Sequence, residues 1–97
     1  MKNETNGERA MIFEFSGVLQ RAADSRSVSV PATTFSGALA ELTTQIPEIK
    51  RVLLDNTGQL RQAHRVVLND ELIQRPDDAM ALSADDRIAF YTAVAGG

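Results

Sequence analysis

Two stretches of this chain, one near each end, carry apolar residues at every second position, and they limit the fold more than any other feature. In "AMIFEFSGVL", Met11, Phe13 and Phe15 alternate with Ile12, Glu14 and Ser16. In "RIAFYTAV", Ile88 and Phe90 alternate with Ala89 and Tyr91. A period of two belongs to a strand with one buried face. Between them the period changes. Phe35, Ala38, Leu39, Leu42 and Ile46 recur at helical spacing and form one apolar stripe. The fold must gather strands from both ends and a helix from the middle around a single core.

The remaining elements follow from local signals. "AADS" turns the first strand back into "RSVSV", where Val28 and Val30 face one way and Ser27 and Ser29 the other, so the first two strands form a hairpin. Pro31 ends the second strand. Thr34 suits the N-cap of the helix. The helix should stop before Pro47, because the residue preceding a proline avoids the α region. Pro47 can itself open a short second helix, with Ile49, Val52 and Leu53 as its buried positions. "DNTGQ" is a turn in which Gly58 is free to take positive φ. Val66, Val67 and Leu68 form a third strand, Asn69-Asp70 a tight hairpin turn, and Ile73 returns toward the core. "RPDDAMALSADD" is a connection anchored by Met80 and Leu82.

The order is β-β-α-β-β, with a short helical piece after the main helix and room for another ahead of the last strand. This is an α+β pattern: a mixed sheet of four to five strands packed on one main helix. Setting the first and last strands side by side in mid-sheet gives the β-grasp, or ubiquitin-like, arrangement. It is one choice among the topologies that the pattern allows. The domain boundaries expected are a disordered lead over residues 1–9, the folded domain over 10–94 and a flexible Gly-Gly tail over 95–97.

Composition narrows the chemistry. The chain has 97 residues and a net charge of −3, without a Lys/Arg cluster of the kind that follows a phosphate backbone, which argues against nucleic acid. No apolar run is long enough to span a bilayer, and the start lacks the apolar centre of a signal peptide. The expected location is the cytoplasm, with no membrane partner. Cysteine is absent, which removes disulfides, thiolate metal sites and cysteine nucleophiles. His64 is the sole histidine, so a histidine triad or metal site lacks partners, and it reads as a strand-edge or turn residue. Asp77-Asp78 and Asp85-Asp86 lie beside turn signals and read as solvated turns rather than as a carboxylate dyad. No Walker-type or GxGxxG loop is present. The chain should bind no metal or cofactor and should not be an enzyme.

The closing "AVAGG" is the unusual feature. Two terminal glycines cannot pack a core and weaken any helix or strand that contains them. They are either a frayed end or a working part.

From "AHRVVLNDELI" through "LSADDRIAFYTAVAGG" the sequence resembles the ubiquitin-like sulfur-carrier proteins, a family that includes the small subunit of molybdopterin synthase, the thiamine sulfur carrier and carriers serving cysteine or secondary-metabolite pathways. The positions that carry the resemblance are Asn69-Asp70, Leu82, Asp85-Asp86, Ile88 to Tyr91 and Val94 to Gly97. With the first strand it spans roughly residues 9–97. Many molybdopterin-synthase small subunits have paired prolines where this chain has Thr92-Ala93. "RVLLDNTGQLRQAH" resembles the longer carriers, in which a D-x-x-G-x-L-R loop precedes the third strand. The resemblance therefore favours a carrier for cysteine or a sulfur-containing secondary metabolite.

It also implies a chemistry for the tail. The Gly97 carboxylate would be adenylated by an E1-like enzyme, which uses ATP and magnesium, and then converted to a thiocarboxylate that donates sulfur. The implied partners are that adenylating enzyme, a sulfur donor and a sulfur-accepting synthase. Ala95, Gly96 and Gly97 would thread a narrow channel, and glycine permits close backbone approach there. Residues 92–97 can reach roughly 20 Å at about 3.3 Å per residue. Two other readings stand beside this one: a ubiquitin-like modifier conjugated through Gly97 to lysines, and an interaction domain with an inert tail. Only Lys2 and Lys50 are present, so a modifier would have few acceptors for chains built on itself. Strand parity sends Ile12, Val67, Ala89 and Tyr91 to the outer face of the sheet. With Val94 they make the expected partner surface, since exposed apolar patches mark interfaces and tyrosine is a frequent anchor.

Overall fold

The computed structural model describes residues 10–74 and 76–92. The chain forms β1 (Ala10–Glu14), α1 (Gly17–Ala23), β2 (Ser27–Pro31), α2 (Phe35–Gln45), α3 (Pro47–Leu53), β3 (His64–Leu68), β4 (Glu71–Ile73) and β5 (Arg87–Thr92). The five strands make one mixed sheet in the order β2-β1-β5-β3-β4. β1 and β5 run parallel at its centre, with Phe13 opposite Ile88, while β2, β3 and β4 pair antiparallel with their neighbours. Joining two strands so distant in sequence in parallel requires a crossover through helical segments, here α2 and α3. This is the β-grasp, ubiquitin-like fold.

The core lies on one face of the sheet. Met11, Phe13, Val30, Val66, Ile88 and Phe90 project from the strands onto Phe35, Ala38 and Leu42 of α2 and Ile49 and Leu53 of α3, all essentially buried. Phe13 and Phe90 stack at the centre with ring centroids 5.5 Å apart, within the favourable range for offset aromatic pairs. α2 begins as its sequence predicts: the Thr34 hydroxyl accepts the Gly37 amide proton at 3.1 Å. It ends at Gln45, and Pro47 occupies the first turn of α3. Gly58 takes φ +88° in the turn after α3. Asn69 and Asp70 both have positive φ, 51° and 73°, as a tight two-residue hairpin turn requires.

Two expectations are corrected. The link between β1 and β2 is not a bare turn. It contains α1, whose Leu19 is fully buried, with Ala22 and Ala23 partly buried against the same core. Positive φ at Gly17 swings the chain out of β1 into this helix, and Asp24 in the left-handed region closes it. No helix lies between β4 and β5 among the described residues. That segment is held by hydrogen bonds from the Phe35 amide to Met80 O (2.9 Å) and from the Leu82 amide to Thr33 O (2.9 Å), with Leu82 in the core. His64 stands at a strand end and closes a turn, as its sequence suggests: its amide donates to Arg61 O at 3.1 Å, and β4 pairs with β3 only from Val66 onward. It opens β3, which lies between β5 and β4, and is buried. Its Nε2 lies 2.9 Å from Val52 O, so that nitrogen donates, and its ring meets the edge of Phe90. A buried imidazole remains in the core when its polar atoms are satisfied.

Candidate functional site: the root of the tail and the outer sheet face

β5 is the last described element, and five residues follow Thr92. Val94, Ala95, Gly96 and Gly97 therefore lie outside the described residues, as do residues 1–9. What the structure positions is the root from which the tail leaves. β5 is flanked by β1 as far as Ala89. Beyond that its register continues on β3 alone, with Tyr91 opposite Arg65 and Thr92 opposite His64. The buried His64, bonded back to α3 through Val52 O, holds the partner strand of that last pair.

The start of β5 is held by the residues that the sequence singles out as a hairpin and an acidic turn. Asn69 Nδ2 donates to Asp86 Oδ1 at 3.0 Å, and the Arg87 amide donates to Asn69 Oδ1 at 2.9 Å. The Ser83 amide donates to Asp86 Oδ2 at 2.7 Å. The Asp85 amide donates to Ala10 O, and the Ile12 amide to Asp86 O, both at 2.8 Å. One asparagine and one aspartate thus tie the β3–β4 turn and the beginnings of β1 and β5 together. Asp77 accepts the Ala79 amide at 3.1 Å in its own turn. Among the described residues no group of three or more acidic or histidine side chains could hold a metal ion.

The outer face can be read row by row from the registers. One row runs Leu72, Val67, Ala89, Glu14, Ser27; the next holds Arg87, Ile12 and Ser29; Tyr91 and Arg65 form a third. Ile12, Val67 and Ala89 are partly exposed, while Tyr91 and Leu72 are 54% and 52% exposed. Leu72 was not among the predicted site residues. The Asn69-Asp70 turn sets it opposite Val67, and counting outward from that two-residue turn would have found it. Ile12 is set apart from the others. Arg87 reaches Glu14 at 3.8 Å and Asp70 at 3.4 Å. The Arg87–Glu14 pair spans the diagonal between the two rows and so passes between Ile12 and Ala89. Leu72, Val67, Ala89 and Tyr91 form the apolar surface, with Arg65 beside it. A small hollow of about 170 Å³, walled by Glu14, Phe15 and Tyr91, opens where β1 turns away from β5.

Parallel central strands, a helical crossover and a strand that leads into the terminal glycines define a ubiquitin-like protein. The chain belongs to the ThiS family, whose model matches residues 13–97, and hence to the ubiquitin-like sulfur carriers. Among solved structures it is similar to SAMP1, small archaeal modifier protein 1, from Haloferax volcanii, with 26% identity and a TM-score of 0.79 over 91% of this chain and 99% of that one. It shares the fold of CysO from Mycobacterium tuberculosis, with 22% identity and a TM-score of 0.73 over 87% and 99% of the two chains. It likewise shares the fold seen in the BexX/CysO complex of Amycolatopsis orientalis, with 21% identity and a TM-score of 0.76 over 91% and 100%. No curated protein matches the chain. Among the described residues no helix is long and apolar enough to cross a membrane.

Proposed function

We propose that the protein is a cytoplasmic sulfur carrier that works through Gly97 and performs no catalysis of its own. The supporting observation is that the family model matches residues 13–97, from the first strand through Gly97. In this reading a carboxylate oxygen of Gly97 attacks the α-phosphorus of ATP on an E1-like enzyme, with magnesium, and pyrophosphate leaves. A sulfide equivalent from a sulfur donor then attacks the acyl carbon and displaces AMP, leaving a thiocarboxylate. A synthase accepts that sulfur, in the biosynthesis of cysteine or of a sulfur-containing secondary metabolite. Leu72, Val67, Ala89 and Tyr91 meet the adenylating enzyme, and residues 93–97 carry Gly97 into its active site.

The test is incubation with the cognate E1-like enzyme, ATP, magnesium and sulfide, followed by intact mass. The expected product is heavier by the oxygen-to-sulfur difference and reacts with an alkylating reagent, although the chain contains no cysteine. Deleting Gly97 should abolish both signals and leave the fold unchanged. Absence of both an acyl-adenylate and a thiocarboxylate at Gly97 refutes the reading. A second reading, conjugation of Gly97 to lysines as a protein modifier, draws on the similarity to SAMP1. An isopeptide bond at Gly97 in protein purified from its own host would establish it.

A further inference from the structure

Among the described residues His64 is the only polar or charged side chain that is buried. Burying an imidazole costs free energy unless it is hydrogen-bonded, and an apolar side chain would fill the same space without that demand. Its place in the sheet points to what the imidazole supplies. β5 pairs with β1 only as far as Ala89, and β4 pairs with β3 only from Val66 onward. The start of β3 and the end of β5 therefore make a two-stranded ribbon, with Arg65 opposite Tyr91 and His64 opposite Thr92. A two-stranded ribbon is marginally stable by itself, and this one carries the root of the tail.

The ribbon is tied to the end of α3. The last carbonyls of a helix lack partners within it. Here Arg51 O accepts from Arg61 Nε and Nη2 at 3.2 and 3.0 Å, and Val52 O accepts from His64 Nε2 at 2.9 Å. Leu53 O accepts from the Arg61 amide, also at 2.9 Å. Three successive carbonyls thus hold the segment 61–64. Arg61 fixes the loop ahead of β3. His64 is itself in the sheet, and its ring meets the edge of Phe90 at a centroid distance of 6.4 Å. Of these bonds, only the one from His64 runs from the helix to the residue that faces Thr92.

We propose that His64 is a positioning residue for the tail. By donating to Val52 O it fixes the place and direction in which β5 ends, and so the line on which Gly97 approaches the nucleotide on the adenylating enzyme. The face of Leu72, Val67, Ala89 and Tyr91 sets how tightly the carrier docks, and the tie at His64 sets how well its carboxylate is aligned. Docking contacts are made equally in the ground and transition states, whereas misalignment of a reacting group slows the chemical step. The kinetic part of this inference rests on the reading that Gly97 is activated; the tie itself does not.

The test compares His64→Phe, which fills the site without a donor, with His64→Gln, whose amide can donate to Val52 O in place of Nε2. Thr34→Ala, which removes the cap of α2, controls for a general loss of stability. The Asn69 amide bonds Arg87 O, so by antiparallel alternation the facing pairs Val67–Ala89 and Arg65–Tyr91 are the hydrogen-bonded ones. Amide exchange is followed by NMR on the full chain, under conditions where every variant is folded. In His64→Phe, exchange at Arg65 and Tyr91 should accelerate by about tenfold or more relative to Val67 and Ala89. In His64→Gln and Thr34→Ala that ratio should match wild type. With the E1-like enzyme, ATP and magnesium, kcat for adenylate formation should fall by about tenfold to a hundredfold in His64→Phe, with KM within about twofold of wild type. His64→Gln should restore it. In wild type the His64 Nε2 proton should itself be visible and slow to exchange, a check that needs no variant. An imidazole protonated at Nδ1 alone, an unchanged exchange ratio or unchanged kcat in His64→Phe, or a loss in His64→Gln as large as in His64→Phe would overturn the proposal. Failure of wild type to form an adenylate would instead refute activation of Gly97, and the exchange ratios would then decide the tie at His64 alone.

Discussion

Phe90 and Tyr91 are adjacent in β5, yet their side chains lie on opposite faces of the sheet, and truncating each to alanine should have opposite consequences. Phe90 is 1% exposed, stacks on Phe13 and meets the edge of His64. Removing a buried phenylalanine ring costs about 3–5 kcal/mol, of which the aromatic pair accounts for about 0.5–1.5. Tyr91 is half exposed and faces Arg65 across the strand pair, so its truncation should cost about 0.2–1 kcal/mol. Domains of this size have about 5–15 kcal/mol of total stability, so Phe90→Ala removes a large fraction of it. Urea unfolding followed by circular dichroism measures both. With a slope of about 1–3 kcal/mol/M, Phe90→Ala should lower the midpoint by roughly 2 M or prevent folding, whereas Tyr91→Ala should move it by a few tenths. Adenylating-enzyme affinity, measured on the folded Tyr91→Ala protein, should fall. Equal losses of stability in the two variants would refute the assignment of faces in β5, and unchanged enzyme affinity in Tyr91→Ala would refute the proposed docking role of that face.

Further outcomes follow from local geometry. Thr34→Ala removes the acceptor for the Gly37 amide and should cost about 1 kcal/mol, visible as a drop in melting temperature of about 4–8 °C. Gly58→Ala forces a side chain into φ +88° and should destabilise by about 1–2 kcal/mol, although the space around it is open, in the same thermal assay. The Thr57 hydroxyl, then the Gln59 and Thr57 amides, hold the Asp55 carboxyl below its ordinary value of 3.8. The stabilisation from Asp55 is therefore complete above that value and is lost as pH falls through the lower folded-state value. Urea midpoints of wild type and Asp55→Asn should differ at neutral pH and converge in acid, and a constant difference would contradict the assignment.

The elements legible in the sequence were those with local causes. The two alternating stretches become the paired central strands, the Phe35-to-Ile46 stripe becomes α2, and Thr34, Pro47, Gly58 and Asn69-Asp70 mark boundaries by their own backbone preferences. α1 was within reach, because Leu19, Ala22 and Ala23 recur at helical spacing, but two of its three anchors are alanines and the signal is faint. The rest needed the tertiary structure, because it depends on which distant residues become neighbours. The register of β1 on β5 puts Arg87 beside Ile12 and sends its ion pair to Glu14 between Ile12 and Ala89. The β3–β4 register places Leu72 on the outer face. Packing of the β3 start against α3 buries His64 on Val52 O. The turn after α3 brings Arg61 to Arg51 O, ten positions away in sequence. Periodicity tells a residue which face of its own strand or helix it occupies. Which residue of another element stands beside it is decided only when the whole core closes.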